Sequence, residues 1–378
     1  MVPFDAARFD RLMAEYGMDA VLATTRHNAR YLTGGYFHHF VARTGRSGHG
    51  QYLSIVGVRR DLSGAFHVGG GDEGALIERF GGLWIGERLQ TVRGQGMTVG
   101  SALQAAAALG RRGLGSGTIG VELAFLPADA FDVLRRELPS ATFADASPLL
   151  GELRAVKGPQ ELDLLRRSHR ITGEAIHAAM AGAAAGETTR GLAEAVERQM
   201  GARGGVFLYC LACVGPGMVR APGPERWERG HPLHLDAGCE VGDYVSDVCR
   251  MGSIGPVPAE ARAMYEACIE ASLRLRARLG PGLTCGEVLR LGRGFARATR
   301  WGEDAGFTAH GMGMVSHEPP QVTSTPDRPL EAGMVLSLET EIRRAGVGHV
   351  KFEDSVAITP GGCDGLGDEG REWCAVAG

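Results

Sequence analysis

The stretch LHLDAGCEVGDYVSDVCRMGSIG, Leu233 to Gly255, decides the fold. Two apolar, β-like runs flank a turn-prone segment from Glu240 to Asp243, so the stretch reads as an antiparallel hairpin. Asp236 and Asp247 lie symmetrically about a point between Val241 and Gly242. A hairpin turning there sets the two carboxylates directly opposite one another, roughly 5 Å apart at Cβ. A second stretch, MVLSLETEIRRAGVGHVKFEDSVAI (Met334 to Ile358), repeats the arrangement with Glu339 and Glu353, centred on Gly346. Between the two lies HGMGMVSHEPP (His310 to Pro320), which offers His310 and His317 in a glycine-containing segment suited to close backbone approach.

Any one Asp or Glu is usually a solvated surface residue. Four carboxylates and an imidazole in register instead make an oxygen-rich cage. Two divalent ions roughly 3.5–4 Å apart need bridging carboxylates, because closely spaced cations repel unless anions lie between them. The expectation is a dinuclear site held by Asp236, Asp247, Glu339 and Glu353 with one imidazole, from His310 or His317. This donor mix favours Mn²⁺, with Co²⁺, Zn²⁺ or Fe²⁺ compatible. Cys210-Leu211-Ala212-Cys213 has redox or zinc spacing, but it stands alone after an apolar run and reads as buried strand thiols.

These residues carry a family resemblance: over nearly its whole length the chain resembles the creatinase, prolidase and aminopeptidase P group, the pita-bread metallohydrolases. That group's signature of two Asp in a hairpin, a His in a Gly-rich segment and then two Glu matches Asp236, Asp247, His310, Glu339 and Glu353. RHNARYLTGGY (Arg26 to Tyr36) and LRAVKGPQELDLLRRS (Leu153 to Ser168) resemble its N-terminal motif and its domain junction. The resemblance implies an Xaa-Pro peptidase acting on short peptides, with hydroxide bridging two metal ions as nucleophile. It assigns Asp236 to one ion, Asp247 and Glu353 to bridging, and His310 with Glu339 to the other ion. Glu339 would also serve as general base. His317, in its HEPP context, resembles the histidine that hydrogen-bonds substrate or tetrahedral intermediate.

Two departures bear on the substrate. Relatives usually carry a further histidine upstream of the first Asp ligand, where this chain has Val219 or, allowing one deletion, Arg220. An arginine cannot shuttle protons but binds a carboxylate or another anionic group. Lys351, two residues before Glu353 and on the same strand face, replaces the arginine usual in the family and loses its planar fork. Both read as substrate-binding positions, and they open a second reading: a creatinase- or ectoine-hydrolase-like small-molecule hydrolase, or a lyase on the same scaffold. A third reading, a non-catalytic binding protein, conflicts with a full ligand set. His38, His39 and Arg43 stand where homodimeric members complete the site of a neighbouring subunit.

The 378 residues suffice for two domains, each with its own core. A net charge of −4 without long runs of one sign argues against nucleic acid as a bulk partner. MVPFDAARFDRL lacks a signal-peptide core, and no run of about 18 apolar residues occurs, so no membrane span is expected. Eight scattered cysteines fit a reducing, cytoplasmic setting. Of 40 basic residues only Lys157 and Lys351 are lysine. Residues 1–155 alternate helical and strand patterns: a helix over Phe4 to Tyr16, strands near Ala20, Tyr52 and Thr118, and a helix over Ala128 to Glu137. Pro159 then opens a long helix, and residues 156–378 form an α+β domain with a loose two-fold repeat, each half giving two helices and a hairpin. Thr284 and Glu287 read as a capping box.

Overall fold

The computed structural model describes residues 2–38, 52–70, 73–91, 97–323 and 328–377. The chain divides into two compact units, Met1–Arg154 and Ala155–Gly378.

The first unit is built on strand β1 (Ala20–Ala23), apolar at every position because both faces are covered. Ala20 and Leu22 pack with Ile55, Phe66, Ala105, Leu109 and Leu134. Val21 and Ala23 pack with Phe9, Met13, Leu32 and Leu150. Strands β2 (Ile55–Arg59), β3 (Phe66–Gly69), β4 (Glu87–Gln90), β5 (Thr118–Val121) and β6 (Thr142–Asp145) complete a six-stranded sheet in the order β4-β3-β2-β1-β5-β6. The pairs β1–β5, β5–β6 and β3–β4 are parallel, the others antiparallel. The first helix runs Ala6–Glu15, and the Asp5 side chain accepts the Arg8 N–H at its start. Helix Ala128–Glu137 has the expected bounds. β3, β4, β6 and the helices Glu73–Phe80 and Met97–Arg111 were not expected; they are short or alanine-rich, and their periodicity is weak.

In the second unit, helix Pro159–Ala181 is followed by a short ribbon of β7 (Glu187–Thr188) with β9 (Arg226–Trp227), and by a nine-stranded sheet. That sheet comprises β8 (Val206–Val214), β10 (Pro232–Val241), β11 (Tyr244–Val245), β12 (Val248–Ile254), β13 (Ala305–Gly311), β14 (Val335–Arg344), β15 (Gly348–Thr359), β16 (Gly362–Leu366) and β17 (Cys374–Val376). Its main path is β11-β10-β12-β15-β14-β13, with β8 on β10, β16 on β15 and β17 on β12. Helices Pro159–Ala181 and Thr189–Ala202 bury Ile176, Leu192 and Val196 against Leu233 and Leu235 of the first hairpin. Helices Ala259–Arg276 and Cys285–Arg297 bury Met264, Leu275 and Val288 against Leu336, Val350 and Phe352 of the second. The two-fold repeat is therefore one apolar helix pair over each hairpin. The capping box is formed, with Thr284 N–H donating to Glu287 at 2.9 Å and Glu287 N–H donating to Thr284 Oγ1 at 3.2 Å.

The two hairpins differ in register. Glu339 pairs with Glu353 across β14 and β15, so that hairpin is symmetric about Gly346. In the first hairpin Asp236 instead faces Cys249, two positions from the expected partner Asp247. The reason is local. Gly242 and Asp243 both take positive φ (56° and 75°), which sets a two-residue turn one residue further along than expected. The ladder then breaks at Ser246 and Asp247, between β11 and β12. At Gly238 a Cβ would lie 2.4 Å from the Ser246 carbonyl oxygen, so only glycine lets the broken segment pass this close. A two-residue shift preserves the strand face, and Asp247 still projects toward the same centre as Asp236.

Candidate metal centre and active site

The central strands carry the candidate ligands. Cys249 of β12 pairs with Glu353 of β15, Glu353 with Glu339 of β14, and Thr308 of β13 with Glu339, two residues from His310. His310 Nε2 lies 3.7 Å from Asp247 Oδ2, 3.5 Å from Glu339 Oε1 and 4.0 Å from Glu353 Oε1. Two donors each about 2.0–2.2 Å from a common ion at near-tetrahedral angles sit at about this separation. Ligand atoms of Asp247, His310 and Glu353 all fall within 4.8 Å of one another. His310 Nε2 is buried and has no hydrogen-bond partner among the described residues, so this donor set fits a divalent ion.

The electrostatics point the same way. Burial, and then the neighbouring Asp236 carboxylate, push the Asp247 carboxyl well above its ordinary range. Burial, and then Asp247 and Glu339, do the same to Glu353. Burial and the adjacent His317 lower the pKa of His310, favouring the neutral imidazole that a metal requires. Crowded carboxylates held away from water call for positive charge between them.

Around the ligands lies a shell that fixes them. Ser337 donates to Glu353 Oε1 at 2.7 Å, and the Asp247 N–H approaches His169 Nε2 at 3.5 Å. The buried Tyr209 hydroxyl is kept protonated by burial and by the Asp247 carboxylate. The His317 ring stacks on His310 with centroids 3.9 Å apart and planes within 16°. The next residue, Glu318, accepts from Lys157 Nζ at 2.9 Å in an ion pair with both side chains buried. Removing one partner of a buried ion pair costs up to about 3–5 kcal/mol. Lys157→Met is expected to lose stability on that scale in urea unfolding; a loss below 1 kcal/mol would show that the pair does not hold the His317 segment.

The structure gives the remaining candidates the following partners. Lys351, read as a substrate-binding residue, is buried inside the cage, with Nζ 2.7 Å from Asp236 Oδ2, 2.6 Å from Glu339 Oε2 and 2.7 Å from Glu353 Oε2. Strand alternation puts residues 351 and 353 on one face, and that face is the cage. Burial opposes its charge, but Glu353, Asp236 and Glu339 outweigh it and hold the ammonium protonated. The Arg220 guanidinium, read likewise, ion-pairs with Asp236, its side chain about a quarter exposed. His38 is buried beside Tyr52, while His39 and Arg43 lie outside the described residues. Cys210 and Cys213 are buried free thiols. Sequence reasoning missed Tyr209, His169, Ser337 and Arg250; only Ser337, two residues before Glu339 on the same face, carried a usable signal.

Residues 163–360 match the sequence pattern of metallopeptidase family M24, and residues 6–156 that of the creatinase/prolidase N-terminal domain. The chain belongs to metallopeptidase family M24. An M24 chain of this kind is a metal-dependent hydrolase, and the family implies divalent metal ions. The Xaa-Pro dipeptidase of Pyrococcus horikoshii is 26% identical over 261 residues, covering 68% of this chain and 74% of that one. In fold, the chain is similar to the Xaa-Pro dipeptidase from Bacillus anthracis (TM-score 0.83, 21% identity, 98% of this chain and 100% of that). It is similar also to the X-Pro aminopeptidase of Thermotoga maritima MSB8 (TM-score 0.82, 20% identity, 97% and 100%). The architecture is thus a creatinase-type N-terminal domain followed by an M24 pita-bread catalytic domain. No helix among the described residues is long and apolar enough to cross a membrane.

Proposed function

We propose that this M24 hydrolase is an Xaa-Pro peptidase that cleaves the bond before proline in short peptides. The observation that carries the reading is the convergence of Asp247, His310, Glu339 and Glu353 on one point, in a chain whose relatives include Xaa-Pro dipeptidases. A divalent ion held there lowers the pKa of water and polarises a carbonyl; Mn²⁺ is favoured by the oxygen-rich donors. The remaining chemistry belongs to the chain. Glu339 is the most open of the four carboxylates, with its side chain 18% exposed against 1–8% for the others. It is the group placed to take the proton from the attacking water. His317, stacked on His310, donates to the oxygen that becomes negative.

The two-ion form of this mechanism needs Asp236 free for metal, and Asp236 is held by Arg220 and Lys351. The proposal therefore requires only the ion at His310. Eight free thiols support a reducing, cytoplasmic setting, and a homodimer is the proposed assembly. The test is a panel of Xaa-Pro dipeptides and longer peptides with the Mn²⁺-loaded chain. Release of proline or of Pro-initiated products is expected. Metal retention without turnover of any peptide would sink the peptidase reading. It would favour the second one, a small-molecule C–N hydrolase, for which the specific observation is the Arg220 guanidinium on Asp236, where the family resemblance implies a histidine.

A further inference from the structure

Asp236 makes a poor metal ligand in this chain. The Lys351 ammonium contacts Asp236, Glu339 and Glu353 at once, at 2.6–2.7 Å, and its side chain is 3% exposed. A metal bound by those same oxygens at about 2.0–2.2 Å would overlap the Lys351 nitrogen. The Arg220 guanidinium occupies the same Asp236 oxygen, Oδ2.

Each glutamate divides its two oxygens. Glu339 turns Oε1 toward His310 and Oε2 toward Lys351, and Glu353 does likewise. The two carboxylates thus bridge two cation positions, one lined by His310 and Asp247, the other filled by an amine tethered to β15.

We infer that this chain holds one divalent ion, at Asp247, His310, Glu339 and Glu353, and that the Lys351 ammonium serves as the second cation of the centre. The inference rests on the metal reading given above. It also identifies what Arg220 and Lys351 do together: they neutralise Asp236 rather than bind substrate.

The test is metal stoichiometry of the full-length chain, saturated with Mn²⁺, freed of loose ion by gel filtration and assayed by mass spectrometry. Wild type is expected to retain one equivalent with the electron paramagnetic resonance signal of an isolated Mn²⁺. Asp236→Asn is expected to keep that equivalent, and His310→Ala to lose it. Lys351→Met, with or without Arg220→Ala, is expected to take up a second equivalent and to show an exchange-coupled pair. Circular dichroism establishes that each variant is folded, and Asp236→Asn decides the matter if Lys351→Met is not. Two equivalents in wild type, loss of the ion in Asp236→Asn, or a folded Lys351→Met that stays at one each overturn the inference and leave the hydrolase reading intact. No ion retained by folded wild type overturns both.

Discussion

Glu339→Gln is expected to lower kcat on the best Xaa-Pro peptide by about 10²–10⁴, the usual contribution of a positioned general base. The substitution preserves shape and removes only the negative charge and the basicity. Glu339 faces two ways, with Oε1 3.5 Å from His310 Nε2 and Oε2 2.6 Å from Lys351 Nζ. It is therefore both a candidate ligand and the candidate base, and a loss of turnover alone does not separate the roles.

Metal content does. A neutral amide oxygen still coordinates a hard cation, though more weakly than a carboxylate, so at saturating Mn²⁺ the variant should retain its ion while turnover collapses. Inactive but metal-loaded protein identifies Glu339 as the base. Inactive and metal-free protein makes it only a ligand. His317→Ala gives the companion measurement: loss of one donor to a developing oxyanion costs about 10²–10³ in kcat, with metal content unchanged because its proposed role is to the substrate. Turnover within threefold of wild type in Glu339→Gln would remove this carboxylate from the mechanism.

Much of this centre is legible in the sequence because hairpins are local. The symmetry of Glu339 and Glu353 about Gly346 needs only a regular turn, and the register follows it. The Asp236 and Asp247 pair misleads by two residues, because Gly242 and Asp243 carry a turn whose position depends on backbone angles that composition does not report. The two-domain organisation, the helix opening at Pro159 and the capping box are legible for the same reason: each rests on neighbours in sequence. What could not be read is contact between distant segments. Lys157 and Glu318 are 161 residues apart, and Arg250 and Asp354 are 104 apart. Lys351 was placed on the correct strand face, but nothing local reveals that three carboxylates surround its ammonium.

Arg250→Met is the substitution expected to cost most in stability. Arg250 is fully buried in β12 and donates to six acceptors. Nη1 donates to the carbonyls of Cys249 and Glu353, each at 2.9 Å, Nε to Gly370 at 2.8 Å, and Nη2 to Asp354 Oδ1 at 2.7 Å. Longer bonds from Nη2 reach Gly367 and Glu369. One side chain thus ties the first hairpin to the second and to the segment that follows β16. Methionine fills much of the volume and supplies none of the donors. Asp354 keeps Arg371 at 2.6 Å, so its charge is not stranded, and the Gly370 carbonyl keeps His177, but the buried carbonyls of Cys249 and Glu353 lose this donor, each at a cost of about 1–3 kcal/mol. A total loss of about 2–6 kcal/mol is expected in urea unfolding, the sum over those two carbonyls. Arg250→Lys should recover little, since an ammonium cannot span that fork of acceptors. Arg262→Ala, which removes an exposed pairing with Glu266, supplies the contrast at about 0.5 kcal/mol or less. Because the Arg250 bond to the Glu353 carbonyl holds the ligand strand, the variant should also bind Mn²⁺ more weakly at temperatures where it remains folded. A loss under 1 kcal/mol with unchanged metal affinity would mean that the hairpins are held together by their apolar helix faces alone.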